Sequence, residues 1–395
     1  MNAPIADTVY QSFQVPYRFP VSFTSNLFDS ANPTFRDTLQ NWDTEKVHRF
    51  ICIVDDGVAT ACPSLLTNIV SYAEAHQDHI ELVRTPVVVA GGESVKNDDE
   101  IREHLHQIVV DTRLDRHAYV IAIGGGALLD AVGFVAATTH RGIRHIRIPT
   151  TVLAQNDSGV GVKNGVNRYG QKNYLGTFAP PHGVLNDYDF IEALPDRDKI
   201  SGMAEAVKVA LIRDRCFFEW LEKHHSKLAN FDTDAMRYMI RHCAELHMQQ
   251  IGHGGDPFET GTARPLDFGH WAAHRLETLT HYNLRHGEAV AIGIALDARY
   301  SVLANHLAPD ADDRICRLLE RLGFSLWDDA LLARDEAGAW SLLQGIDDFR
   351  EHLGGELSIT LLNELGSGLE VNQLDESRIL NAVDWLSCRY FDLAA

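Results

Sequence analysis

The chain has 395 residues, 45% of them hydrophobic and 23% charged, which is the make-up of an enzyme-sized globular protein and excludes a disordered or repetitive one. Its 35 Lys and Arg stand against 55 Asp and Glu, a formal charge of −20 that repels nucleic acid and anionic membrane surfaces. An anionic small substrate would therefore need a local cluster of basic side chains working against that field.

In chain order, the N-terminal "MNAPIADTVYQSF" lacks a charged stretch followed by an apolar core, and no run approaches the roughly 18 apolar residues of a spanning helix, so a soluble cytoplasmic chain is expected. The cysteines at 52, 62, 216, 243, 316 and 388 form no C-x-x-C pair, which argues against a disulfide framework or a thiolate zinc site. From about 48 to 150, apolar runs alternate with helical patterns. They read "RFICIVDDG", a helix near 62–77, "PVVVAGGE", a helix near 98–112, "AYVIAIGGG", a helix near 127–139 and "RHIRIPTT". This predicts a Rossmann-like parallel sheet with helices on both faces and ligands beyond the carboxyl ends of its strands. Residues 151–187 are rich in Gly, Asn and Pro and read as irregular or hairpin structure. Helices follow near 198–213, 215–228, 232–252, 265–281, 286–305 and 311–323, then a short strand "ELSITLL" and a last helix near 373–387. The fold class is α/β plus α, with a dinucleotide-binding domain over 1–187 and a mainly helical, metal-binding domain over 188–395.

Several motifs lie at predicted strand ends. Gly124, Gly125 and Gly126 join a strand to a helix, so backbone can approach a pyrophosphate closely; a simple tight turn is the plainer alternative. Asp130 lies one turn further on, and Asp55 in "VDDG" and Glu93 with Lys96 in "GGESVKND" close neighbouring strands. His270 and His274 share a helix face at i, i+4 and could bind one ion with His286, or be chance in a chain with 20 histidines. Glu205 and Lys208 stand three apart on an otherwise apolar helix, as a salt bridge or as a metal ligand beside a catalytic lysine. The basic cluster is supplied by Arg141, Lys163, Lys172 with Asn173, and Arg264.

Over about 48–362 these segments resemble the 3-dehydroquinate synthase family, the sugar-phosphate cyclases: "GGGALLDAVGFVAATTHRG", "IPTTVLAQNDSGVGVKNGVN", "KNYLGTF", "GMAEAVKVALI", "FGHWAAHRLE" and "HGEAVAIGI" occur in order. The resemblance implies NAD, a divalent metal that is usually zinc with cobalt as alternative, a small phosphorylated sugar as substrate, and a homodimer. It makes Glu205, His270 and His286 the metal ligands. His274 moves to the substrate side, with Lys163, Lys208 and Asp157 in the catalytic set. Asp55, Glu93, Lys96, Gly125, Gly126, Asp130, Thr150 and Thr151 would hold the dinucleotide, and Asp157 also matches a position near it. Arg141, Lys172, Asn173 and Arg264 would bind substrate, and Arg350 would replace a late phosphate-binding lysine.

The departures bear on the substrate. Where the family usually shows Arg-x-x-x-Asn around a substrate carboxylate, this chain has Ala263 and Asp267, with Arg264 displaced by one, about 100° round a helix. The lysine expected upstream is missing from "AELHMQQIGHGGDP". Asp267 would repel a carboxylate but accept hydrogen bonds from hydroxyls. This favours sedoheptulose 7-phosphate and a 2-epi-5-epi-valiolone synthase-like reaction over 3-deoxy-arabino-heptulosonate 7-phosphate. The rivals are 3-dehydroquinate synthase itself, a metal-dependent NAD alcohol or polyol dehydrogenase of the same plan, and an inert scaffold.

Overall fold

Asp55, Val89, Gly124 and Pro149 end four strands, and in the structure, a computed structural model describing residues 8–394 apart from 170, 262–263 and 353–354, these ends lie along one sheet edge. In chain order the first half comprises β1 (Val21–Thr24), α1 (Thr34–Gln40), β2 (His48–Asp55), α2 (Asp56–Ala61), α3 (Leu65–Ala75), β3 (Ile80–Leu82), β4 (Val87–Val89), α4 (Asp99–Asp111), β5 (Tyr119–Gly124), α5 (Gly126–Thr138), β6 (Arg144–Pro149), the antiparallel hairpin β7 (Lys163–Arg168) and β8 (Gln171–Phe178), and β9 (Gly183–Asp187). Seven strands run in the order β1-β9-β6-β5-β2-β3 with β4 also on β2, and every pairing is parallel. All six residues of β5 are buried because helices cover both faces. On one face Leu105, Ile108 and Leu129 of α4 and α5 pack against it, and on the other Phe35, Ile69 and Tyr72 of α1 and α3 do so.

The expected helix near 62–77 is two helices. The Asp55 side chain caps α2, accepting from Gly57 N at 2.9 Å and Val58 N at 3.4 Å, and Pro63 then pushes Cys62 out of helical geometry (φ −121°, ψ 75°) before α3 begins. The strands β1, β3 and β9 did not stand out in the sequence.

From Asp189 the chain is mostly helical: α6 (Asp189–Glu192), α7 (Asp196–Arg213), α8 (Arg215–Ala229), α9 (Thr233–His253), α10 (His270–Leu279), α11 (His286–Leu303), α12 (Ala311–Arg321) and α13 (Gln344–His352). The expected "ELSITLL" strand becomes β10 (Ile359–Glu364), hairpinned to β11 (Ser367–Val371) before α14 (Glu376–Ala394). The helix expected over 265–281 is broken. A 3-10 turn, Pro265–Asp267, precedes α10, and Gly269 between them is left-handed at φ 79°. The break lets α10 approach α11 so closely that a Cβ on Gly293 would lie 1.9 Å from the Gly269 carbonyl oxygen. Asp297 of α11 fixes the junction, accepting from Gly269 N at 3.0 Å and Trp271 Nε1 at 2.8 Å. Among the described residues no helix is long and apolar enough to cross a membrane.

Candidate active site

The strand ends, the β7–β8 hairpin and helices α7, α9, α10 and α11 enclose a cavity of about 890 Å³. Its sheet side holds the expected dinucleotide residues together: Asp55, Glu93, Lys96, Gly125, Gly126, Asp130, Thr150 and Thr151 all line it. Helix α5 starts there with no side-chain cap, leaving its first backbone N–H groups available to an anion. Two of the glycines here are closely approached. A Cβ on Gly126 would sit 2.6 Å from Ser158 Oγ, and one on Gly91 would collide with the Asp55 carboxylate at 2.1 Å. Lys96 is buried, with Nζ 2.9 Å from Asp130 Oδ2 and also donating to Asn173 Oδ1, so an expected cofactor residue and an expected substrate residue share one cation. Burial raises the Asp55 carboxyl although two backbone N–H groups oppose this.

On the helical side, Glu205 from α7 is fully buried and faces the first residues of two helices, His270 of α10 and His286 of α11. Glu205 Oε1 lies 3.9 Å from His270 Nε2 and 3.6 Å from His286 Nε2, and one donor atom from each of the three falls within 4.8 Å of the others. His270 Nδ1 donates to the Phe268 carbonyl at 3.1 Å and His286 Nδ1 to Glu277 Oε2 at 3.1 Å, so both rings turn Nε2 toward the carboxylate. This carbonyl–imidazole and carboxylate–imidazole bracing is what metal-binding histidines use to fix tautomer and orientation. Among the described residues no hydrogen bond is aligned to Glu205 Oε1, which faces the two imidazoles, while Oε2 is paired with Lys208, so the buried carboxylate is left open on the histidine side. Two imidazoles and a carboxylate so arranged fit a divalent ion of the zinc or cobalt type.

Burial would raise the Glu205 carboxyl, but Lys208 beside Oε2 overrides it and holds it at about 2. Lys208 also lies 3.5 Å from Asp157 Oδ1, and His247 Nδ1 lies 2.9 Å from the same oxygen. Burial would lower His286, yet Glu277 and Glu205 lift it to about 9. His274 completes the wall, its ring centroid 5.4 Å from that of His270 and 6.0 Å from that of His286. Burial and the nearby Lys172 hold His274 well below the usual imidazole range, so it is neutral.

The family model "3-dehydroquinate synthase N-terminal" matches residues 86–201 and "3-dehydroquinate synthase C-terminal" matches residues 202–339. The chain belongs to the 3-dehydroquinate synthase family, the sugar-phosphate cyclases. A 3-dehydroquinate synthase of Halorhodospira halophila is 37% identical over 268 residues, 68% of this chain and 73% of that one. A 2-epi-5-epi-valiolone synthase from Streptomyces hygroscopicus subsp. jinggangensis 5008, solved with NAD+ and Zn2+ bound, superposes with a TM-score of 0.85 at 26% identity, over 96% of this chain and 99% of that one. A 2-deoxy-scyllo-inosose synthase complexed with carbaglucose-6-phosphate, NAD+ and Co2+ shares the fold, with a TM-score of 0.73 at 22% identity, covering 92% of this chain and 96% of that one.

Against the expectations raised by this sugar-phosphate cyclase family, three arginines depart. Arg141 is exposed beyond the far end of α5, at φ 63°, and does not line the cavity, because the helix carries it about 20 Å from the sheet edge. Arg264 lies behind the wall, its Nε 3.1 Å from Glu259 Oε2 and its guanidinium also donating to the Glu259 and Gly261 carbonyls. Arg350 is exposed on α13 and bound to Asp347 at 2.5 Å, outside the lining. Ala263 falls outside the described residues. Lys163, Lys172, Asn173, Lys208, Asp157, Asp267 and His274 all line the cavity.

Four contributors were missed in the sequence. Glu277 holds both His286 and Lys172, and its place at i+3 from His274 and i+7 from His270 was the available signal. Glu259 pairs with Lys163 at 2.5 Å and His247 with Asp157; neither has a distinguishing local pattern. Arg147, fully buried, donates to the carbonyls of Gly159, Gly161 and Lys163 and to Asn164 Oδ1, so it shapes the loop that delivers Lys163.

Proposed function

We propose that this chain converts a heptulose 7-phosphate, specifically sedoheptulose 7-phosphate, into a valiolone-like cyclitol ketone, using NAD held mainly by residues 1–187 and a zinc ion held by residues 188–395, as a cytoplasmic homodimer. Bound NAD would take a hydride from a secondary hydroxyl and later return it, while the divalent ion would polarise that hydroxyl. The transient ketone acidifies the neighbouring C–H, inorganic phosphate leaves, and ring opening with intramolecular aldol closure gives the carbocycle without net oxidation.

Glu205, His270 and His286 would hold the ion. Lys208, kept charged by Glu205 and Asp157, would stabilise negative charge developing on substrate oxygen. Neutral His274 would offer an imidazole nitrogen to hydrogen-bond the substrate, and Lys163, Lys172 and Asn173 would present nitrogens to its phosphate. Asp55, Glu93, Lys96, Gly125, Gly126, Asp130, Thr150 and Thr151 would bind the dinucleotide, with its pyrophosphate at the start of α5.

The observation that carries the substrate choice is that Asp267 lines the cavity while Arg264 is turned to Glu259 behind it. A heptulosonate carboxylate at about 4 Å from Asp267 would meet a repulsion of about 4 kcal/mol at an effective dielectric near 20. A second reading, 3-dehydroquinate synthase acting on 3-deoxy-arabino-heptulosonate 7-phosphate, is favoured by the name carried by the 37%-identical relative. Phosphate release from the two sugars, followed together with absorbance at 340 nm, tests both. Faster release from sedoheptulose 7-phosphate without NADH accumulation is expected. Faster release from the heptulosonate would install the second reading, and stoichiometric NADH would indicate a dehydrogenase.

A further inference from the structure

Four lysines line the cavity, and each has a carboxylate partner of this same chain. Lys96 meets Asp130 at 2.9 Å, Lys163 meets Glu259 at 2.5 Å, Lys172 meets Glu277 at 2.9 Å, and Lys208 sits between Glu205 and Asp157. A phosphorylated ligand that draws on these cations must compete with a resident carboxylate. Burial decides where it succeeds. The side chains of Lys96, Lys172 and Lys208 are 3%, 22% and 2% exposed, whereas Lys163 is 55% and Glu259 24% exposed. Opening a buried pair strands a charge away from water, while an exposed pair contributes little and opens readily. Lys163–Glu259 is therefore the pair that yields.

Glu259 is also mounted on a tightly turned segment. Its own backbone is left-handed at φ 50°, a disfavoured conformation for a side-chain-bearing residue, and Gly255 at φ 86° opens the turn. Asp256 closes the turn by accepting from Thr260 N at 2.8 Å and Gly261 N at 2.6 Å. The ion pairs with Lys163 and Arg264 hold Glu259 in that conformation. Phe258 provides the docking point, its ring 5.6 Å from that of Phe178, which is the cross-strand partner of Lys163, and 5.4 Å from that of Tyr17.

We propose that Glu259 is a built-in counter-anion: it holds Lys163 between turnovers, gives it up to the phosphate group of the substrate, and reclaims it so that inorganic phosphate is expelled. The inference rests on the phosphorylated-substrate reading above. Glu259 acts through Lys163 and is a positioning residue.

Isothermal titration calorimetry with inorganic phosphate tests this on the full-length protein supplied with NAD and zinc, comparing wild type, Glu259→Gln, Lys163→Gln and the double variant. Glu259→Gln should bind phosphate about fivefold tighter, the upper range of what an exposed ion pair is worth, and should be inhibited by phosphate at correspondingly lower concentration during turnover. A merely structural role would instead weaken binding. The gain should vanish in the Lys163→Gln background. An unchanged or weaker affinity in Glu259→Gln, an equal gain without Lys163, or no phosphate binding by any of the four would overturn the proposal. Phosphate release from the two sugars is scored separately. Release without the Glu259 effect removes only this inference, and the Glu259 effect without release from either sugar removes only the functional reading.

Discussion

Glu277 receives Lys172 Nζ at 2.9 Å and His286 Nδ1 at 3.1 Å, and through His286 it sets the direction of the nitrogen that faces Glu205. Glu277→Gln keeps the volume but weakens both contacts, so divalent-ion affinity measured by chelator competition should fall about 10–100-fold; an unchanged affinity would mean His286 is oriented without it. Asp267 is the second residue whose charge decides something. Asp267→Asn removes that repulsion of about 4 kcal/mol and should shift the ratio of kcat/KM for heptulosonate over heptulose phosphate by up to about a thousandfold toward the carboxylated sugar, and an unmoved ratio would remove Asp267 as the selector. At this scale residue type was legible in the sequence but direction was not. The i, i+4 spacing suggested that His270 and His274 share an ion, yet the atoms facing Glu205 belong to His270 and His286, because a turn after α10 restarts the chain at the same wall. Arg264 was expected to bind substrate, but Glu259 draws its guanidinium behind the wall. No local pattern records that competition.

The two helices bearing His270 and His286 meet where Gly269 and Gly293 touch, with no room for a methyl group on Gly293. Gly293→Ala should therefore push α10 away from α11, lowering stability by about 1–3 kcal/mol and loosening the ion. Thermal melting with and without zinc would register both, and an unshifted melting temperature would mean that the helices separate at no cost. The sequence revealed elements wherever burial is two-sided. The strands β2 and β5 appear as near-continuous apolar runs because helices cover both faces. The edge strand β1, half-buried along its four residues, carries no such run, and the split between α2 and α3 turns on a single proline inside a helical pattern. The break before α10 is hidden for another reason, since it depends on contacts with Gly293 and Asp297, more than twenty residues downstream.

For the whole molecule, composition demanded a basic cluster inside an acidic protein, and the four cavity lysines supply it; that each is matched by an internal carboxylate is a property of the fold alone. Stability should also respond to acid. Burial, with Arg147 adding to it, holds His145 well below 6.5, and burial with Arg144 pushes His182 down to about 4. Both are neutral in the fold, while the unfolded chain takes up protons below about 6.5, so their contribution is complete above that pH and is lost as pH falls toward 4. For His182 the loss reaches about 3 kcal/mol by pH 4. Asp297, lifted to about 7 by burial, acts in the opposite sense, so the histidine is isolated by comparison. His182→Phe keeps a ring beside Trp42 and Tyr119 and should flatten the fall in melting temperature between pH 6.5 and 4.5, and a slope equal to wild type would exclude His182 as the acid-sensitive group. The sheet order has a consequence for synthesis. Strand β9 lies between β1 and β6, with Val21 in register with Val184. At about 5–20 residues per second, roughly ten to thirty seconds separate the emergence of those two residues from a ribosome. Throughout that interval β1 has no neighbour, and from its own emergence β6 has an open edge, so the nascent chain carries a templating surface that only the late insertion of β9 removes.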